Sequence, residues 1–199
     1  MAACYDSTPQ PVDVCGTFTR AAADTADYPA GTVTSAITTT FNAGVVRYEG
    51  EFYVVDYQLP LENVLGGGFL GLTLDATHNA RFETSVTGTT FVRSDNTVAQ
   101  PDWVSRLTGR WGFGRWLLSY QMYYLSDVKS APNATIENTP TPDIDSNMTH
   151  SMSLSWNVSD MFTLRAGVNN FTDEEPSYPT IAYGDILGRR WFLGATARF

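Results

Sequence analysis

Between Met148 and Phe199, strand-length segments joined by one long loop alternate apolar and polar residues with a period of two, and nothing else in the chain constrains the fold as tightly. Counting back from Phe199, one series is Ala197, Ala195, Leu193 and Trp191, and the other is Arg198, Thr196, Gly194, Phe192 and Arg190. The same alternation sets Phe162, Leu164, Ala166 and Val168 against Thr163, Arg165, Gly167 and Asn169. Successive side chains of a β-strand point to opposite sides, so this period predicts strands with one apolar face. That face needs cover, either a protein core or lipid.

Upstream, further strands are expected at Tyr48–Leu59, Phe69–Arg81, Trp103–Phe113, Trp116–Ser126 and Thr149–Trp156. Thr32–Phe41 is β-branched and reads as the start of one long strand that bends at Asn42-Ala43-Gly44. Residues 1–31 read as an irregular loop and residues 32–199 as strands. The connections alternate short and long, with turns at 60–68, 112–115 and 157–160 and loops near 83–102, 127–147 and 172–187. Aromatic residues gather at strand ends: Trp103, Trp111, Trp116, Tyr123, Tyr124 and Trp156, with Trp191 beside them. Tight turns at one end, long loops at the other and aromatic rims describe an all-β, antiparallel transmembrane β-barrel segment of about seven strands. Two alternatives share the alternation: a small stand-alone barrel of about eight strands, and a soluble β-sandwich acting as a binding module.

Composition excludes other classes. Charged residues make up 17% of the chain, Lys129 is its one lysine, and the net charge is −9. Without a basic stripe there is nothing to neutralise phosphates, so nucleic acid is not an expected partner. No apolar run reaches the length of about 20 residues that a membrane-spanning helix needs, and the first residues lack the basic and apolar regions of a signal peptide. No Ser/His/Asp arrangement, metal-ligand cluster or phosphate-binding glycine loop is present, and Gly66-Gly67-Gly68 reads as a turn. Neither enzymatic activity nor a cofactor or metal is expected, and His78 and His150 read as ordinary strand residues. Cys4 and Cys15, with ten residues between them in a polar loop, fit a local disulfide formed in an oxidising compartment.

Leu164-Arg165-Ala166-Gly167-Val168-Asn169-Asn170-Phe171-Thr172-Asp173 resembles the penultimate-strand motif of TonB-dependent outer-membrane receptors. Gly167, Val168, Asn169, Phe171 and Asp173 carry the match, and Asn170 stands where the family usually has leucine. The following loop holds Pro176, Tyr178, Pro179 and Tyr183-Gly184-Asp185, as the family's Pro/Tyr-rich loop does. Gly188 and Arg189 open the closing strand, which continues through Trp191 to a terminal Phe199. Near the start, Tyr5-Asp6, the cysteine pair and Thr19-Arg20 resemble an external loop of one large subgroup.

The resemblance implies the C-terminal strands of a barrel of roughly 22, with the plug domain and earlier strands absent. It implies a Gram-negative outer membrane and import of a siderophore, cobalamin or oligosaccharide. The implied partners are outer-membrane lipid, the rest of the barrel and its plug, the TonB energy-coupling complex acting through that plug, and the barrel-assembly machinery, which would read Phe199. Arg106, Arg110, Arg165, Arg190 and Arg198 are the expected lumen-facing residues, pairing with plug carboxylates or touching substrate.

Overall fold

The computed structural model of the chain describes residues 18–36, 44–62, 67–86 and 88–198. It has two units, Met1–Ala43 and Gly44–Phe199. In the first, β1 (Phe18–Arg20) pairs antiparallel with β2 (Val33–Ala36). Hydroxyls zip the pair: Thr19 Oγ1 lies 3.1 Å from Thr34 Oγ1 and 2.7 Å from Ser35 Oγ. Arg20 Nη1 donates to the Gly31 carbonyl at 2.5 Å. A strand therefore lies inside the segment expected to be irregular, because three residues are too few for a period to be read. Val33–Ala36 belongs to this hairpin. Residues 37–43, and with them most of the expected bend, lie outside the described residues, as do Cys4 and Cys15.

The second unit contains β3 (Val45–Pro60), β4 (Phe69–Ser85), β5 (Val92–Arg93), β6 (Trp103–Phe113), β7 (Trp116–Leu125), β8 (Val128–Lys129), β9 (Asp143–Ile144), β10 (Asn147–Asn157), β11 (Phe162–Asn169) and β12 (Arg190–Ala197). Seven of these form one antiparallel sheet in the order β3-β4-β6-β7-β10-β11-β12. β5 adds a short pairing to β4, and β8 pairs with β9. The seven strands expected from alternation are present, and each is hydrogen-bonded to its chain neighbour in this path. No helix forms among the described residues. The path is open: β3 and β12 are its two ends among the described residues.

Register turns the sequence alternation into two continuous surfaces. On one side a row runs Tyr57, Leu72, Gly109, Tyr120, Met152, Val168, Trp191, and the next runs Leu59, Leu70, Trp111, Leu118, Leu154, Ala166, Leu193. Several of these side chains have little protein over them: Leu72 and Leu154 are about two-fifths exposed and Leu193 is 83% exposed, whereas Val168 is buried. A contiguous apolar surface of this extent is foreign to a soluble monomer, whereas hydrocarbon would cover it. Within residues 44–199 no second sheet packs over it among the described residues, which removes the geometry of a sandwich.

Connections sort by length as the sequence predicts. Turns at 61–68, 114–115 and 158–161 lie at one end, and loops at 86–102, 126–146 and 170–189 lie at the other. In the first turn Gly68 has φ +141°, and a Cβ there would run into the Gly112 carbonyl, so only glycine fits.

β3 and β4 are 16 and 17 residues long, whereas a tilted strand crosses hydrocarbon in about 9–11. The excess lies at the loop end. There the apolar side gives way to ion pairs: Glu51 with His78 at 3.3 Å, Glu49 with Arg81 at 3.2 Å, and Arg47 with Glu83 at 4.0 Å. The rings of Tyr53 and His78 stack on Trp103 at the border, with centroids 6.0 and 4.4 Å away.

The hydrophobic core sits among the long loops. Val128, Ile144 and Tyr183 are 1–2% exposed, and Val98 and Leu125 pack against them. Tyr183 Oη donates to the Ser126 carbonyl at 2.5 Å, and Asn147 Nδ2 donates to the Glu175 carbonyl at 2.8 Å. Burial pushes the Tyr183 phenol well above its ordinary pKa. The Lys129 amide donates to the Asn96 carbonyl at 2.9 Å, so all three loops join in one layer.

Candidate functional site

The polar side of the sheet carries the candidate site. One row there is Asp56, Thr73, Thr108, Gln121 and Ser151. The next is Gln58, Gly71, Arg110, Ser119, Ser153, Gly167 and Phe192. Beyond it come Phe69, Gly112, Leu117, Ser155, Arg165 and Gly194. Small hydroxyl and glycine residues keep the surface low, and the arginines rise from it.

Arg165 is positioned from both sides. Its guanidinium carbon lies 5.5 Å from the centroid of the Phe192 ring, and its Nη2 lies 3.5 Å from Ser153 Oγ. Phe192 can lie there because it faces Gly167: a Cβ on Gly167 would come within 2.5 Å of the ring. Phe69 covers Gly112 in the same way. Arg110 and Arg165 line one recess of about 210 Å³ together with Thr108, Gln121, Asn169 and Phe192. Arg106 lies 5.6 Å above the ring of Tyr123, its direct cross-strand partner.

Other arginines are tied to carboxylates. Arg190 holds Asp185 through two bonds, at 3.0 and 2.9 Å, so this polar-side arginine fastens the last loop instead of standing open. Arg198 follows β12 at the tight-turn end, is exposed, and does not reach the recess. Arg189 donates to Asp173 from its backbone N–H at 2.8 Å and from Nη2 at 3.1 Å. Gly188, with φ +63° and room for a Cβ only 3.1 Å from Asp173 Oδ1, lets the chain approach that carboxylate. Two parts of the motif, Asp173 and Gly188-Arg189, are thus one anchor that closes the 170–189 loop.

Among the other motif residues, Val168 is buried on the apolar side and Asn169 lines the recess. Phe171 packs on His150 with centroids 5.7 Å apart. Asn170 is 1% exposed with φ +49°. Its side chain donates to the Glu174 carbonyl at 2.8 Å and accepts the Glu174 N–H at 2.9 Å. Asparagine tolerates the left-handed region far better than the leucine usual at this position, which gives the departure a physical reason.

Trp103, Trp111, Trp116, Tyr124, Trp156 and Trp191 share the apolar side. Trp116 and Trp156 stack with centroids 5.0 Å apart at the tight-turn end. Tyr123 is the exception: it lies on the polar side beneath Arg106, one residue out of phase with the aromatic rim. His150, on the apolar side, has its Nδ1 2.7 Å from Tyr120 Oη, so each polar group satisfies the other. Phe199 lies outside the described residues.

The Asp173 anchor has a pH signature. The Arg189 backbone N–H and then its charge hold the exposed Asp173 carboxyl below its ordinary pKa. A group depressed in the folded state contributes stability above its unfolded pKa and loses it as pH falls through the folded value. Loop 170–189 is therefore expected to stay anchored at neutral pH and to loosen only in acid below about pH 4. Limited proteolysis across a pH series checks this, and Asp173→Asn is expected to be loose at neutral pH already. An unchanged cleavage pattern in that variant would refute the anchor.

The family model described as TonB dependent receptor-like, beta-barrel, matches residues 9–171. No curated protein and no solved structure matches the chain.

Proposed function

Because the chain belongs to the TonB-dependent receptor-like β-barrel family, we propose that it forms wall and external loops of a Gram-negative outer-membrane importer for a scarce nutrient. The observation that carries this reading is the register-aligned split of seven strands into one apolar and one polar side. In such a barrel the apolar side meets lipid, the polar side lines the lumen, tight turns face the periplasm and the loop layer faces outward. Trp103, Trp111, Trp116, Tyr124, Trp156 and Trp191 serve as the aromatic girdles. The free edges of β3 and β12 pair with the remaining barrel strands, because an unpaired backbone edge is not tolerated in hydrocarbon.

In this reading the cargo is a siderophore, cobalamin or oligosaccharide. Energy arrives from TonB through a plug seated in the lumen, Phe199 is read during assembly, and Cys4 and Cys15 join in the external loop. Cells lacking the segment that encodes this chain are expected to lose energy-dependent uptake of one of those three cargo classes under limitation. Unchanged uptake of ferric siderophore, cobalamin and oligosaccharide alike would sink the proposal.

A further inference from the structure

Five arginines at the loop end have carboxylate partners: Arg47 with Glu83, Arg81 with Glu49, Arg93 with Asp95, Arg189 with Asp173 and Arg190 with Asp185. Arg106, Arg110 and Arg165 do not. Among the described residues no carboxylate is in ion-pair contact with any of the three; Arg106 and Arg165 lie against rings, and Arg165 reaches a serine hydroxyl. Two of them share a single recess with hydroxyl and amide donors and no acidic side chain in its lining.

The chain that holds this recess has a net charge of −9. A local cationic patch inside an acidic molecule concentrates anions where the surrounding surface repels them. Guanidinium groups present a planar fork that matches a carboxylate, and the neutral hydroxyl and amide donors of the lining add hydrogen bonds, while Asp56 meets Arg110 only in the neighbouring recess. The ring of Phe192, seated over Gly167, and the Ser153 hydroxyl position Arg165, so less side-chain freedom is lost when an anion arrives.

We propose that Arg110 and Arg165 form a carboxylate-binding station on the lumen wall, serving carboxylate groups of small solutes that pass along it. The station rests on the assignment of the polar side to the lumen made above. The recess of about 210 Å³ admits such a group rather than a whole bulky cargo.

The test uses the assembled barrel that contains this chain, in detergent micelles, with succinate as probe and succinamide as its neutral counterpart, read by calorimetry. Succinate is expected to bind saturably, more weakly as salt rises, and succinamide not at all. Arg110→Gln and Arg165→Gln are each expected to weaken succinate at least tenfold, and Arg165→Lys by an intermediate factor because it keeps charge but loses the fork. Arg47→Gln, remote on the other side of the sheet, is expected to bind as the parent does. Circular dichroism of each variant establishes that the strands remain. Absence of saturable binding by the parent, equal binding of succinamide, or undiminished binding by both glutamine variants would overturn the station. Succinate binding lost in those variants, in a chain whose deletion leaves nutrient uptake unchanged, would keep the station and remove import alone.

Discussion

Leu72→Arg is expected to destabilise the barrel that contains this chain, folded in phospholipid vesicles, by about 2–4 kcal/mol, the cost of an arginine on a lipid-facing strand near the bilayer midplane. Thr73→Arg, one residue further on, is expected to change stability by no more than about 0.5 kcal/mol, as at an ordinary solvated surface. Leu72 lies in the row between Tyr57 and Gly109 on the apolar side, and Thr73 between Asp56 and Thr108 on the polar side. The two positions differ in depth by one strand residue, so depth cannot produce the contrast; only the side of the sheet can. Urea unfolding followed by tryptophan fluorescence measures both. Equal losses would mean that water, or protein, covers both sides alike, and the membrane reading of the sheet would fail.

Tyr183→Ala is expected to cost the loop layer about 3–5 kcal/mol, the usual penalty for truncating a buried aromatic side chain. Tyr183 is 1% exposed and joins loop 170–189 to Val128 and Ile144 in loop 126–146. Its loss removes a shared core that neither loop can rebuild alone. The opening is expected to be local, since loops can unfold without the strands that carry them. Hydrogen exchange should therefore accelerate across 126–146 and 170–189 and leave β6, β7 and β10 protected. Tyr183→Phe, which deletes only the hydrogen bond to the Ser126 carbonyl, is expected to cost about 1 kcal/mol. Loss of strand protection in Tyr183→Ala would show that the loop layer holds the sheet together, contrary to this account.

The strands were legible because alternation is a local signal. Trp103–Phe113 is predicted and found with the same limits, five others differ only by a few terminal residues, and the first gives up Val33–Ala36 to the β1–β2 hairpin. Side assignment follows from parity, which is also why Tyr123 falls out of the aromatic rim: it is a neighbour of Tyr124, and neighbours on a strand point apart. The loop core gave no such signal. Tyr183, Ile144 and Val128 are spaced without a period, and their meeting is decided by how three loops fold back on one another. The Asp173–Arg189 anchor was half legible. Both residues belong to the motif that resembles the family, but their contact requires the left-handed turn at Asn170 and Asp173. The Arg110–Arg165 recess required register, because the two residues come from β6 and β11 with β7 and β10 between them.

The charged extension of β3 and β4 acts as a waterline. Sinking the hairpin by one turn of the pleat would drag Glu51 and His78, then Glu49 and Arg81, into hydrocarbon, while raising it would strip lipid from Leu70 and Leu59 at the other end. Both displacements cost energy, and they oppose each other. The hairpin therefore sets the draught at which this part of the wall floats, and its neighbours, tied to it strand by strand, inherit the same depth.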